Sequence, residues 1–89
     1  AIIISSEDER EAIEAARAIG GAAPHAEGMY VYGPAPAPLA MLRGRYRQRL
    51  LVHAQRSVEM QTIIREWLGG LQFPRGVRVG VDVDPYSFL

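Results

Sequence analysis

The stretch Arg45-Tyr46-Arg47-Gln48-Arg49-Leu50-Leu51-Val52-His53-Ala54 decides how the rest of the chain must be arranged. Tyr46, Leu50, Val52 and Ala54 share one parity and Arg45, Arg47, Arg49 and His53 the other, the period of a strand with one packed and one wet side. Leu51 adds an apolar group to the arginine side, as expected of a bulge or a second contact there. The period then changes. Met60, Ile63, Ile64, Trp67, Leu68 and Leu71 recur at helical spacing, predicting an amphipathic helix that Ser57 can begin and Gly69-Gly70 ends, with Trp67 on its core stripe. Beyond the turn Phe73-Pro74-Arg75-Gly76, Val77, Val79, Val81 and Val83 alternate with Arg78, Gly80, Asp82 and Asp84, which predicts another strand stopped by Asp84-Pro85.

Upstream, Met29, Tyr30, Val31 and Tyr32 suit a short strand between Gly28 and Gly33. Pro34, Pro36 and Pro38 should end it and form a stiff polyproline II strut rising about 3.1 Å per residue. Ser6-Glu7-Asp8-Glu9 has capping-box spacing for a first helix. Its stripe is Ala12, Ile13, Ala16 and Ile19, its stop is Gly20-Gly21, and Ala1 to Ile4 before it reads as a buried strand. The resulting order is βαββαβ. In so short a chain this predicts an α+β fold of the ferredoxin-like split βαβ type, a four-stranded antiparallel sheet with both helices on one face.

A chain of 89 residues supports one compact domain, expected over 1–89, burying about 60–65% of the surface its unfolded form exposes. The formal net charge is zero, but the charges are segregated. Six acids lie between Glu7 and Glu27 against Arg10 and Arg17, whereas Arg43 to Arg56 holds five arginines and no acid. All ten basic residues are arginine, so no Walker-type phosphate loop, which needs lysine, is present. Cysteine is absent, excluding disulfides, zinc fingers and thiol nucleophiles. The longest apolar run falls far short of the roughly 20 residues that span a bilayer, so no membrane partner is expected. The opening Ala1-Ile2-Ile3-Ile4, without methionine, suits a domain inside a longer chain.

Because this fold hosts many activities, the site must carry the functional reading. Guanidinium groups match phosphate and carboxylate geometry through paired hydrogen bonds, so the arginine row points to an anionic partner. If Arg43, Arg45, Arg47 and Arg49 each met one phosphate of a single strand, log affinity would fall with log salt at a slope of about 3. Tyr46, Tyr30 and Tyr32 could stack on bases. The plainer reading is a solvated row paired with acids of the first helix or with Asp82 and Asp84. Asp82 and Asp84 lack a nearby third ligand and read as structural, and His25 and His53 have no metal-site spacing. No catalytic residue and no metal site are expected. Asparagine is absent, against an acylphosphatase-like site, and an arginine follows Gly44 where an RNA-recognition motif needs an aromatic. A dimeric small-molecule sensor built on the same fold is an alternative.

Taken together, Gly33-Pro34-Ala35-Pro36-Ala37-Pro38, Arg43-Gly44-Arg45-Tyr46-Arg47, Leu50-Leu51-Val52, Met60-Gln61 and Val81-Asp82-Val83-Asp84-Pro85 resemble the C-terminal domain of the primosomal protein N-prime (PriA) family of bacterial replication-restart helicases. The resemblance covers nearly the whole chain and is strongest from Gly33 onward. It implies a fold like a small-subunit ribosomal protein and a non-catalytic module of a 3′ to 5′ DNA helicase that binds single-stranded or forked DNA. It also implies contact with upstream helicase domains and with the acidic tail of single-strand binding protein. No cofactor is expected in this piece, whereas ATP, magnesium and structural zinc would belong to upstream parts of a cytoplasmic, nucleoid-associated parent. Carried over residue by residue, Arg45, Tyr46 and Arg47 fall on the family's Gly-Arg-Tyr-Arg motif and join Arg43 and Arg49 as expected DNA contacts. Gln61 falls on the glutamine early in the second helix, and Arg56 stands one position before the basic residue expected at Ser57, both as expected protein-docking residues.

Overall fold

The computed structural model describes residues 1–55 and 59–82. In chain order it contains β1 (Ile2–Ser6), α1 (Glu9–Gly21), β2 (Met29–Leu42), β3 (Arg45–Ala54), α2 (Met60–Gly69) and β4 (Arg78–Val81). The strands form one sheet in the order β2-β3-β1-β4, every neighbouring pair antiparallel. This is the βαββαβ arrangement that the sequence predicts.

Alternation decides which side is packed. Ile2, Ile4 and Ser6 of β1 and Gln48 and Leu50 of β3 are buried, and their register partners on β4, Val79 and Val81, share that side. Ala15, Ala16 and Ile19 of α1 and Ile64 and Trp67 of α2 close over Ile2, Ile4 and Leu50, so both helices cover one face. The alanine-rich stripe of α1 lets that helix approach closely. Trp67 reaches further: its indole Nε1 donates to the Ile19 carbonyl at 2.9 Å, a buried bond that ties α2 to the last turn of α1.

Three sequence expectations change here. First, β2 does not stop at Gly33 but runs for 14 residues through all three prolines, so no separate polyproline strut follows it. As an edge strand it turns half its backbone N–H groups outward, where proline costs no ladder bond, and two register shifts, between Tyr32 and Ala35 and between Pro36 and Met41, absorb the rest. Second, Arg43 is not part of the alternating row. With Gly44 it forms the two-residue turn between β2 and β3, at φ 53° and 76°, the left-handed pair that tight hairpins need.

Third, Asp8 rather than Ser6 caps α1, its carboxylate accepting from the Glu11 N–H at 3.2 Å. Ser6 instead donates to Glu11 Oε1 at 2.7 Å and accepts from the Asp8 N–H at 3.1 Å, joining the end of β1 to the helix start. Leu51, expected to mark a bulge or a second contact, sits opposite Tyr32 on the open face, beside the first register shift, which lies in β2 and not in β3. The described α2 begins at Met60 with Glu59 as its N-cap, and β4 covers Arg78–Val81. Ser57, Val83, Asp84 and Pro85, named above as a helix start and a strand end, lie outside the described residues.

Gly33 holds the first irregularity of β2 at φ 106°, and a Cβ there would stand 2.8 Å from the Arg49 carbonyl oxygen. Gly33→Ala is therefore expected to lose about 1–3 kcal/mol through backbone strain and displacement of β2 from β3. Urea denaturation followed by circular dichroism measures this, and an unchanged midpoint would refute the close approach.

Candidate functional site

The helices leave the other face of the sheet uncovered. Along β3 that face presents Arg45, Arg47, Arg49, Leu51 and His53 in turn, each facing away from the helices because its neighbours in sequence face toward them. Register then adds neighbours from other strands. Arg47 and Arg78 both pair with Ser5, placing the two arginines on either side of β1, about 10 Å apart across two strand spacings. Arg49 pairs with Ala35 on one side and with Ile3 on the other, and Ile3 pairs with Gly80, so its neighbours across the sheet are small or apolar.

The arginines differ in what they hold. Arg45 donates through Nε to Ser5 Oγ at 3.2 Å, and through Nη2 to the carbonyls of Ser5 at 2.9 Å and Gly76 at 2.7 Å. It thereby fastens β3 and β1 to the loop before β4. Arg47 donates once, through Nη1 to the Leu39 carbonyl at 3.0 Å, steadying the irregular part of β2 and leaving its remaining donors outward. Carboxylates play no part in this: the one ion pair among the described residues joins exposed Arg10 and Glu14 on α1, on the other side of the sheet. Asp82, one residue past β4, is the acid that shares the parity of Arg78.

Arg45 should therefore matter for stability more than its neighbours. Arg45→Ala is expected to cost about 1.5–3 kcal/mol, because three charge-assisted bonds are lost at once, whereas Arg49→Ala should stay within about 0.5 kcal/mol. Parallel urea titrations of the two variants separate them, and equal midpoints would contradict the anchoring role.

Of the other residues expected at the site, Tyr46 pairs with Ser6 on the helix-covered side, away from the arginine row. It is half-buried there and does not share a face with the arginines with which it was grouped. Gln61 lies instead at one end of the sheet, where β3 runs on past the start of β1 and leaves an open groove. This groove, about 950 Å³ in volume, has an apolar floor from Leu51, Met60 and Leu68 and polar walls from Arg49, Gln61, Arg65 and the acid Asp82. Arg56 lies outside the described residues. Sequence reading did not select Arg78 or Arg65, since each sits alone in its own segment and only strand order and helix docking bring them to the site. No group of three histidine, aspartate or glutamate side chains among the described residues could hold a metal ion. No helix among them is long and apolar enough to cross a membrane.

Comparison with known proteins bears on this arrangement. Residues 1–86 match the family described as the primosomal protein N C-terminal domain. The chain belongs to that family. Among curated relatives, the replication restart protein PriA of Rickettsia felis is 33% identical over 98% of this chain, and that of Rickettsia prowazekii 32% identical over the same share. The PriA protein of Treponema pallidum is 37% identical over 70% of the chain. The chain spans 13% of the length of each Rickettsia PriA protein and 9% of the Treponema one. Both Rickettsia matches span the residues of the open face and of the groove together.

Proposed function

We propose that the chain is a non-catalytic module that holds single-stranded or forked DNA for a cytoplasmic replication-restart helicase, using Arg47, Arg49 and Arg78 on the open sheet face and Arg43 at the hairpin turn as phosphate contacts. The observation that carries this is a row of arginines that no carboxylate among the described residues neutralises. Arg45 contributes charge but acts chiefly as the tie that keeps the row in place. The helicase activity itself, with its ATP, magnesium and structural zinc, would reside in other parts of a longer protein. Fluorescence anisotropy with labelled single-stranded and forked oligonucleotides at two salt concentrations tests the reading. Binding that weakens steeply with salt is expected, and binding that ignores salt would refute it.

A second reading rests on the groove. Basic Arg49 and Arg65 stand beside an apolar floor and outnumber the acid Asp82, a combination suited to an acidic peptide that also carries an apolar side chain. The acidic tail of single-strand binding protein is the acidic partner that the family resemblance implies. Arg65→Glu is expected to weaken capture of an acidic tail peptide by about tenfold or more through charge reversal. Peptide titration by calorimetry measures it, and unchanged affinity would remove the groove from this role.

A further inference from the structure

The end of the open face away from the anchored Arg45 is not basic but aromatic. Tyr30 and Tyr32 project from the edge strand β2 with 53% and 57% of their surface exposed. They pair across to His53 and Leu51 on β3, and Leu51 is itself 43% exposed. No described hydrogen bond employs either phenol. The next side chain along that face of β3 is Arg49, so the aromatic patch is continuous with the phosphate row.

We infer that Tyr30 and Tyr32 form a stacking platform for two unpaired bases of a single strand whose phosphates lie along Arg49 and Arg47. This deepens the function proposed above and rests on it. The two tyrosines are about 6.7 Å apart along the strand, so each ring offers a separate surface instead of sharing one base. An exposed aromatic on an uncovered sheet is the feature by which sheets take splayed bases, and stacking accepts any base because every base has a π face. Duplex DNA buries those faces, so the platform discriminates in favour of unpaired strands. Charge complementarity selects a polyanion over a neutral or basic partner: Arg49, His53 and Arg65 share the groove beside Tyr32 and Leu51, against the one carboxylate of Asp82 among its described lining residues.

The test compares a thymidine oligonucleotide with an abasic oligonucleotide of the same length, which keeps every phosphate and removes every base. At moderate salt the thymidine strand is expected to bind about fivefold or more tightly. The double substitution Tyr30→Leu with Tyr32→Leu should abolish that difference while leaving the salt slope unaltered. Photocrosslinking of a 5-iodouracil strand to the unmodified chain, which needs no variant to fold, should place the adduct in the peptide containing Tyr30 and Tyr32. Equal, salt-dependent binding of both strands would overturn the platform and leave the arginine reading intact. Failure of both strands to bind even at low salt would overturn the arginine reading and the platform with it. Tyrosine-dependent capture of an acidic peptide, without binding of either strand, would likewise defeat the assignment to bases.

Discussion

Trp67→Ala should lower the stability of this chain by about 3–5 kcal/mol, the usual result of deleting a large buried aromatic. For a domain of this size that is a drop of roughly 12–40 °C in unfolding midpoint, enough to leave a large unfolded fraction near body temperature. Two contributions combine. The ring fills the space between α2 and the sheet, alongside Ile64 and Leu50, and at 6% exposure it leaves a cavity that its neighbours cannot close. The indole N–H also supplies the bond to the Ile19 carbonyl. Trp67→Phe separates the two, since it keeps most of the volume and drops the donor. Ile19 retains the Ala22 N–H as a partner at 3.2 Å, so its carbonyl is not orphaned. The phenylalanine variant should therefore lose only about 0.5–1.5 kcal/mol for the bond, plus a small volume cost. Thermal denaturation of the three proteins measures both steps. A loss below about 1 kcal/mol for the alanine variant would mean that α2 is not docked as described.

Replacing Arg47 and Arg49 together with glutamine should flatten the salt dependence of DNA binding by half, since two of the four phosphate contacts go while the fold is spared. With four phosphate contacts to a single strand, raising salt from 50 to 200 mM is expected to weaken binding about 50-fold, and with two contacts only about 7-fold. Affinity at the lower salt should also fall by roughly tenfold or more, since each charged contact contributes more than an ordinary hydrogen bond. Glutamine retains length and hydrogen bonding, so the loss is assignable to charge. Arg47 and Arg49 are suited to this test because one makes a single backbone bond and the other makes none among the described residues, whereas Arg45 would confound binding with unfolding. An anisotropy series at four or five salt concentrations measures both slopes. An unchanged slope would show that DNA does not follow this face.

The placement of the arginines explains how a chain of zero net charge can present a basic surface. Glu9 and Glu14 are exposed on α1, on the helix side of the sheet, while Arg47, Arg49 and Arg78 share the opposite side. The sheet keeps the two sets apart, and the helix acids supply no partner within ion-pair reach of the row. Exposed pairs of that kind would have added little stability and would have cancelled the field that attracts a polyanion.

Much of this was legible from local spacing. Period-two alternation in Arg45–Ala54 identified both the buried side and the arginine side, and the apolar repeat from Met60 to Leu68 identified α2 and its core tryptophan. The same alternation already put Tyr46 on the packed side, although the Gly-Arg-Tyr-Arg motif suggested a DNA contact. Such patterns survive in one dimension because a side chain's direction depends only on the backbone geometry of its own element. The proline run misled for the complementary reason: whether a missing N–H matters depends on whether a strand is central or at an edge, and strand order is a property of the whole sheet. Strand order and register also put Arg78 beside Arg47, let Arg45 reach Gly76 from 31 residues away, and left Tyr30 and Tyr32 uncovered next to Arg49. The sequence by itself thus determined which residues point together within each strand and helix. Only the tertiary structure decided which elements lie side by side, and so which arginines are ties, which are free charges, and which aromatics face solvent, because those outcomes depend on contacts between residues far apart in the chain.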